Sequence, residues 1–246
     1  MSDQPLEGAV ALVTGATGGI GRATARRLVR EGAAVALVAT RGDQLDRVAA
    51  DLIGLGGQVI TVAADITEPA LAYRAVEDTH DRLGRLDILV NSASVMVLDT
   101  ALHSPIEEWD RMISLNVSAL LHVTHAAVPY LIDAAATSAR GVADLVNLGS
   151  PAGRAARPTG SVYNLTKFGL NGFTESLRQE LLTERVRVSV VAPGVVDETA
   201  DADHRQTDPT DALRPQDIAD VIAYIVTRER RIAVNEILLR AGGQTW

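Results

Sequence analysis

Short apolar runs alternate with longer amphipathic stretches along the chain. Seven runs have the length and composition of β-strands: AVALVTG (9–15), AAVALVA (33–39), QVITVAA (58–64), LDILVN (86–91), ADLVNLG (143–149), RVSVVAP (187–193) and NEILLR (235–240). Several of them are apolar at consecutive positions, as is typical of parallel strands that are covered on both faces. The stretches between them have helical periodicity, and one of these, GRATARRLVREG (21–32), ends in a glycine. The pattern predicts strands and helices in alternation.

This alternation predicts an α/β fold built on one doubly wound sheet. Helices that connect parallel strands cover both faces of the sheet, so we expect a seven-stranded parallel sheet between two helical layers. The sequence contains no internal repeat and no linker-like segment, and residues 1–246 are therefore expected to form a single domain.

Two segments depart from this regular pattern. Residues 134–142, AAATSARGV, are mostly small and are predicted to connect a helix to the fifth strand. Residues 197–212 are strongly acidic and contain almost no apolar side chain. They are predicted either as a solvated mobile loop or as a mobile lid over a substrate cleft, since loops of this kind often cover active sites.

The composition excludes several classes of function. With 47% hydrophobic residues, the chain can bury a large core. A formal net charge of -8, spread along the chain, argues against a nucleic-acid partner. The absence of cysteine rules out disulfides, thiolate catalysis and zinc–sulfur sites. The N-terminus MSDQPLEG lacks a signal-peptide pattern, and no apolar run approaches the roughly 18 residues of a membrane span, so a soluble cytoplasmic protein without a membrane partner is expected.

A glycine-rich turn, TGATGGIG (14–21), lies between the first predicted strand and the first predicted helix. Gly15, Gly19 and Gly21 permit a tight turn, close approach of a pyrophosphate to the backbone, and close packing of helix on strand. The free N–H groups and the positive end of the helix dipole favour a phosphate here. A merely flexible turn is the alternative, but the position between strand and helix predicts a dinucleotide site.

The end of the second strand indicates which dinucleotide is bound. An acidic residue there binds the ribose 2′-hydroxyl of NAD(H), whereas a basic residue accepts the 2′-phosphate of NADP(H). The sequence reads Ala39-Thr40-Arg41, and the first acid is Asp43. Arg41 can bind a phosphate in a forked geometry, with a hydroxyl added by Thr40. NADP(H) is therefore favoured over NAD(H), and a solvent-facing Arg41 is the alternative.

Tyr163 and Lys167 form a pair within the stretch GSVYNLTKFGL (160–170). On a helix, a spacing of four residues places both side chains on one face. The pair is either a surface lysine beside an aromatic ring or a proton-transfer site. In the second case the ammonium stabilises the phenolate and lowers the tyrosine pKa, which is ordinarily about 10.

The glycine turn, Ser150 and this pair together resemble the short-chain dehydrogenase/reductase family over essentially the whole chain. The family pattern T-G-x-x-x-G-x-G is matched from Thr14 to Gly21, and Y-x-x-x-K is matched by Tyr163 and Lys167. The resemblance implies a single-domain Rossmann fold. It also implies that Tyr163 is the general acid and base, that Lys167 tunes its pKa and contacts the nicotinamide ribose, and that Ser150 binds the carbonyl oxygen. Asn116 would hold a water molecule of a proton relay.

The resemblance further implies a dinucleotide site spread over the ends of several strands. Its predicted members are Gly15, Thr17, Gly18, Gly19, Ile20, Gly21, Thr40, Arg41, Asp65, Ile66, Asn91, Ser92, Ala93, Tyr163, Lys167, Pro193, Gly194 and Val196, and no metal is expected. The implied function is an NAD(P)-dependent oxidoreductase, a homodimer or homotetramer, that interconverts a small carbonyl compound and an alcohol by hydride transfer. A dinucleotide-binding sensor or structural protein with little catalysis is the alternative.

The sequence departs from the family pattern in two places. The family's N-N-A-G reads Asn91-Ser92-Ala93-Ser94, which places a side chain where the family has glycine. Glu198 stands where a threonine is common after the Pro-Gly turn. We expect both departures to act on cofactor affinity rather than on the fold.

Three further features leave alternatives open. Arg154 and Arg157 either bind a substrate carboxylate or belong to a solvated basic loop. His122 and His125 lie three residues apart on a predicted helix, but with no third ligand evident they are interpreted as packing or surface residues. Trp246 is either a packing residue or inserts into a neighbouring subunit.

Overall fold

The computed structural model describes residues 4–197 and 212–244. Its seven strands are β1 (Val10–Thr14), β2 (Ala34–Ala39), β3 (Val59–Ala63), β4 (Ile88–Asn91), β5 (Ala143–Leu148), β6 (Val186–Pro193) and β7 (Glu236–Leu239). They form one sheet in the order β3-β2-β1-β4-β5-β6-β7, and every neighbouring pair is parallel. Each predicted strand is confirmed, and its ends lie within two residues of the predicted ones.

The α-helices of the described residues are α1 (Gly19–Arg30), α2 (Gly42–Ile53), α3 (Pro69–Leu83), α4 (Ile106–Ile113), α5 (Leu120–Thr137), α6 (Ser161–Glu180) and α7 (Pro215–Val226). A π-helical turn, Ser114–Ala119, joins α4 to α5, and a short 3₁₀ turn, Pro151–Gly153, follows β5. Because α5 continues through Thr137, the prediction that residues 134–142 form a connection was wrong for the first four of them. Alanine is the best helix former, and three alanines extend the helix there.

Successive residues of the buried strands supply two hydrophobic cores, one on each face of the sheet. Val13 and Leu37 pack with α1, α2 and α7, whereas Leu12 and Val38 pack with α3, α5 and α6. Every residue of Val10–Thr14 is buried, so this strand shows no alternation of polar and apolar positions. The predicted doubly wound α/β fold is thereby confirmed.

The strand order changes direction between β1 and β4. The chain builds outward from β1 through β2 to β3 and then starts again at β4, on the other side of β1. The helix after β1 and the helices after β4 cover opposite faces of the sheet. Such a divergence opens a crevice at the carboxyl ends of the two strands, where doubly wound folds bind their ligands.

One helical stretch of the described residues is longer and more apolar than the sequence pattern indicated. Ile106–Thr137 is continuous, and by length and composition alone it could cross a membrane, contrary to the expectation that no apolar run is long enough. A helix that is buried in the core of a globular protein can have the same length and composition. Val123, Ala127 and Leu131 of α5 are buried in the core that contains Leu89 and Leu145, and we interpret the stretch as a core helix.

A buried ion cluster lies near the amino-terminal ends of β5 and β6, at the opposite end of the strands from the crevice. Asp144 on β5 accepts hydrogen bonds from Arg187 on β6, at 2.7 and 3.0 Å, and from Arg140, at 2.6 Å. Asp144 and Arg187 are only 1% and 8% exposed. Arg187 also donates to three backbone oxygens of residues 228–232, which fixes the connection between α7 and β7.

Removal of the acid should destabilise the fold without affecting the crevice. Asp144→Ala leaves Arg187 buried without its carboxylate partner, and we expect the free energy of unfolding to fall by about 3–5 kcal/mol. Arg231→Ala is the control and should change it little, because the Arg231–Glu229 pair is 74% and 71% exposed. Urea unfolding of both variants measures the difference, and equal losses would contradict the importance given to burial.

Candidate active site

A cleft of about 1040 Å³ opens at the carboxyl edge of the sheet. Every strand contributes to its wall at or just beyond its carboxyl end; the contributing residues include Gly15, Thr40, Asp65, Ser92, Ser150, Gly194 and Arg240. In a doubly wound sheet this is the position at which nucleotides and their substrates bind.

The glycine turn forms the part of the cleft between β1 and α1. Gly15 has a φ of 65°, and a β-carbon there would lie 2.9 Å from backbone atoms of Ala93. A β-carbon on Gly21 would overlap the backbone oxygen of Gly15. Only glycine fits at both positions, and the turn is a cradle in which a ligand can approach the backbone closely. The first turn of α1 contains no acid, so its positive dipole end is compatible with a phosphate.

Thr14 joins the glycine turn to the segment that follows β4. Its Oγ1 accepts hydrogen bonds from the backbone N–H groups of Ser92, at 3.1 Å, and Ala93, at 3.2 Å. The segment is therefore held beside Gly15 through its backbone. This arrangement does not depend on the side chain at position 92.

Asn91 lies below the cleft and does not line it. Its Nδ2 donates to Thr124 Oγ1, at 3.0 Å, and to Asn147 Oδ1, at 2.9 Å. Asn147 in turn donates to Thr174 Oγ1 on α6, at 2.9 Å. This chain of buried hydrogen bonds links β4 and β5 to the two helices that cover them, α5 and α6.

Thr40, Asp65 and Ile66 line the cleft at the ends of β2 and β3. Asp65 Oδ1 accepts hydrogen bonds from the backbone N–H and the hydroxyl of Thr67, at 3.0 and 2.6 Å, which fixes the turn after β3. Arg41 follows Thr40, immediately precedes α2 and is exposed. It does not line the cleft itself, whereas its neighbour Thr40 does.

Tyr163 and Lys167 lie in the first two turns of α6, on the face that borders the cleft. The Lys167 Nζ lies 5.6 Å from the centroid of the Tyr163 ring and donates a hydrogen bond to the backbone oxygen of Leu148, at 2.8 Å. Lys167 is only 4% exposed, so the alternative of a surface pair was wrong. Burial lowers the pKa of the Lys167 amine to about 8.

Ser150 precedes the 3₁₀ turn and interacts with Tyr163. Burial raises the pKa of the Tyr163 hydroxyl, and a hydrogen bond with Ser150 lowers it in part. The Ser150 Oγ also accepts a hydrogen bond from the backbone N–H of Ala152, at 3.2 Å. A phenol, a second hydroxyl and a buried amine are thus brought together, a set that can move a proton and hydrogen-bond an oxygen atom.

Asn116 lies in the π-helical turn and does not line the cleft. Its Nδ2 donates to the Val95 backbone oxygen, and its Oδ1 accepts from the Val95 N–H, both at 2.8 Å. The Ser94 hydroxyl donates to the same Oδ1, at 3.1 Å. The side chain of Asn116 therefore fixes the segment after β4, and π-helical turns are frequent at functional sites.

Most of the residues predicted for the dinucleotide site line the cleft. These are Gly15, Thr17, Gly18, Ile20, Gly21, Thr40, Asp65, Ile66, Ser92, Ala93, Tyr163, Lys167, Pro193, Gly194 and Val196. Gly19, which begins α1, Arg41 and Asn91 do not line it.

Sequence reasoning missed several lining residues, among them Asn164, Arg240 and Gln244. Gln244 Oε1 accepts a hydrogen bond from the Val195 N–H, at 3.1 Å. A β-carbon on Gly194 would meet the end of the Gln244 side chain, so the two residues are in close contact at this part of the cleft wall. For Asn164 a signal existed, because it lies three residues before Lys167 and therefore on the helix face that borders the cleft.

The structure also locates the two arginines after Ser150 and the histidine pair. Arg154 forms an ion pair with Glu236 on β7 and does not line the cleft, whereas Arg157 does line it. His125 hydrogen-bonds the Tyr73 hydroxyl, and no group of three or more metal-ligating side chains occurs among the described residues.

The predicted lid, residues 197–212, lies largely outside the described residues, as do Glu198 and Trp246. Its two ends are described: Val196 and Leu213 form a parallel bridge, and the Asp197 N–H donates to the Leu213 oxygen, at 2.8 Å.

Comparison with known proteins places the chain in one family. A model of the short chain dehydrogenase family matches residues 9–209. An uncharacterized oxidoreductase of Staphylococcus epidermidis, SERP2049, is 33% identical over 235 residues, which cover 94% of this chain and 96% of that protein. Glycine betaine reductase ATRR of Emericella nidulans is 35% identical over 244 residues, which cover 96% of this chain but only 19% of that protein.

Solved structures of similar fold include complexes with NADP. A metagenomic short-chain oxidoreductase in complex with NADP has a TM-score of 0.82 and 33% identity, and the match covers 96% of this chain and 98% of that one. A short chain dehydrogenase of Burkholderia cenocepacia in complex with NADP has a TM-score of 0.85 and 28% identity, with 97% and 99% covered. On these matches over nearly its whole length, the chain belongs to the short-chain dehydrogenase/reductase family of oxidoreductases.

Proposed function

We propose that this protein is an NADP(H)-dependent oxidoreductase that interconverts a ketone or aldehyde with the corresponding alcohol. The proposal rests on one observation, the buried Lys167 beside Tyr163 and Ser150 at the wall of the cleft. Burying an amine lowers the stability of the fold, and binding a dinucleotide does not by itself require a buried amine at this position.

The residues of the cleft fit a nicotinamide dinucleotide. The glycine cradle and the N-terminus of α1 would hold the pyrophosphate, Asp65 the adenine, and Thr40 with Arg41 the 2′-phosphate. Two structural neighbours in complex with NADP support the binding of a nicotinamide dinucleotide. The bound cofactor supplies or accepts the hydride.

Tyr163 would be the proton donor in reduction and the proton acceptor in oxidation. Reduction of a carbonyl group leaves negative charge on its oxygen, to which Tyr163 would donate its proton while Ser150 hydrogen-bonds the same oxygen. The protonated Lys167 attracts the phenolate and so offsets the increase in the tyrosine pKa that burial causes. In the oxidative direction Tyr163 would accept the proton from the alcohol.

Asn116 would hold the relay water through its backbone. Its side-chain amide is already engaged with Val95, Ser94 and Thr166. A relay water between Lys167 and solvent would therefore bind to the backbone oxygen of Asn116 rather than to its side chain.

We also propose that the protein is a homodimer or homotetramer. Leu165 and Phe168 on α6 are 62% and 44% exposed, which supports a surface that a second copy covers.

Tyr163→Phe removes the proton donor and keeps the ring. We expect kcat for NADPH-coupled reduction, screened on a panel of small ketones and aldehydes, to fall by about a hundredfold or more, with NADPH affinity little changed. Tyr130→Phe is the control, because Tyr130 lies on α5 outside the cleft. Unchanged turnover in Tyr163→Phe would contradict the proposal, and a wild type that binds NADPH but reduces nothing would favour a dinucleotide sensor.

Arg41→Ala tests the choice between the two dinucleotides. We expect the affinity for NADPH to fall by about 10- to 100-fold, because a charge-assisted hydrogen bond to the 2′-phosphate is lost, and the affinity for NADH to stay the same. Arg47→Ala removes the same charge from an exposed position of α2 and is the matched control. Fluorescence titration measures both affinities; an equal loss for the two cofactors would remove the role given to Arg41.

Lys167 is the only lysine of the sequence, so its pKa can be measured directly. Protein labelled with ¹³C at lysine side chains gives a single lysine signal by NMR, and without cofactor we expect it to titrate at about pH 8 instead of 10.5. Below about pH 8 the amine is charged and the cost of burying that charge is fully present. A signal that titrates at 10.5 would contradict the effect of burial.

The same shift has a consequence for stability. Between about pH 8 and 10.5 the unfolded chain binds the lysine proton and the folded chain does not, so the stability of the wild type should rise with pH relative to Lys167→Met. Urea unfolding of both proteins at several pH values measures this difference.

A further inference from the structure

We propose that Asn164 is a positioning residue, which holds residues 150–160, here called the 150–160 loop, against α6 and thereby fixes Ser150 relative to Tyr163. This inference rests on the proposed function, because it concerns the two hydroxyl groups to which that function assigns the chemistry.

The side-chain amide of Asn164 bridges three points of the 150–160 loop. Its Nδ2 donates to the backbone oxygens of Ala152, at 2.7 Å, and Ala155, at 3.2 Å, and its Oδ1 accepts from the Arg157 N–H, at 3.4 Å. Asn164 is 6% exposed. An irregular loop has backbone groups that no helix or strand satisfies, and a single buried amide satisfies three of them here.

A second asparagine binds the same loop further along α6. The Asn171 Nδ2 donates to the backbone oxygen of Gly153, at 3.1 Å. Seven residues correspond to about two helical turns, so both asparagines lie on one face of α6. A β-carbon on Gly153 would lie 2.7 Å from the Lys167 backbone oxygen, and one on Gly160 would lie 2.9 Å from Asn164 Oδ1. The loop therefore packs so closely on α6 that Gly153 leaves no room for a side chain, and a side chain at position 160 would press on the Asn164 amide.

The loop that Asn164 holds is also a wall of the cleft. Its lining residues include Ser150, Pro151, Ala155 and Arg157. Tyr163 directly precedes Asn164 on α6, so one short stretch of helix carries the phenol and also binds the loop that carries Ser150. Without the Asn164 amide, the loop would no longer be fixed relative to the helix, and a misplacement of about 1 Å at a reacting group can cost about a hundredfold in rate.

Asn171 provides a matched control within the same structure. It binds the same loop from the same helix, but it does not line the cleft, whereas Asn164 does. A general loss of packing should follow from either substitution, and a loss of positioning at the cleft should follow only from the change at Asn164.

Three variants separate positioning from packing. Asn164→Ala removes the amide, Asn164→Asp keeps its size but replaces the donor by a carboxylate that the oxygens of Ala152 and Ala155 repel, and Asn171→Ala is the control. We expect kcat to fall by about tenfold or more in both Asn164 variants, with KM for the carbonyl substrate changed less and the Kd for NADPH within about twofold of the wild type. Asn171→Ala should keep kcat within about threefold.

Hydrogen exchange of the 150–160 loop, followed by mass spectrometry, provides a readout that does not need activity. Faster exchange of this loop in Asn164→Ala, with unchanged exchange at the glycine turn, supports the proposal together with the loss of kcat. An unchanged kcat, or an equal loss of kcat in Asn171→Ala, overturns it. If the wild type reduces no carbonyl compound but Asn164→Ala still exchanges faster, the proposed function fails and the hold of Asn164 on the loop is supported.

Discussion

The burial of one ammonium group beside Tyr163 is the constraint on which the site depends. In the interior the Lys167 Nζ requires a hydrogen-bond acceptor, and the backbone oxygen of Leu148 provides one at 2.8 Å. This contact holds α6 at the carboxyl end of β5, two residues before Ser150, and so brings the hydroxyl of Ser150 to that of Tyr163. Apart from histidine, every other basic residue of the sequence is an arginine. An arginine would not replace Lys167, because a guanidinium keeps its charge and brings five donors to a place with few acceptors.

The fold was predictable because its physical causes are local. Strands that are buried on both faces require consecutive apolar residues, and such runs predicted all seven strands of the described residues. The predictions failed where one sequence pattern is compatible with two kinds of local structure. Ala134–Thr137 are small enough for a loop and are also good helix formers, and α5 includes them. Ile106–Thr137 has no unbroken apolar run of the required length, but the structure joins α4, the π-helical turn and α5 in one helical stretch whose mean hydropathy is high.

The candidate site was predictable only where spacing along the chain sets the geometry. Tyr163 and Lys167 are one helical turn apart, and Gly15 and Gly21 belong to one turn, so the sequence places them together. Contacts between distant segments leave no such pattern. The carboxylate of Glu236 lies on β7, far along the chain from Arg154, and their ion pair removes Arg154 from the set of substrate ligands that its position after Ser150 suggested. Gln244 reaches Val195 only because β7 ends beside β6.

Backbone and asparagine contacts position the segment that departs from the family's N-N-A-G. Thr14 binds the N–H groups of Ser92 and Ala93, so the position of this segment beside Gly15 depends on its backbone. A side chain at position 94 would occupy space in the cleft if it were free to rotate. The Ser94 hydroxyl instead donates to Asn116 Oδ1, the atom that also accepts the Val95 N–H. The serine thereby adds a hydrogen bond to the group that fixes the segment, and its side chain is held at the cleft wall.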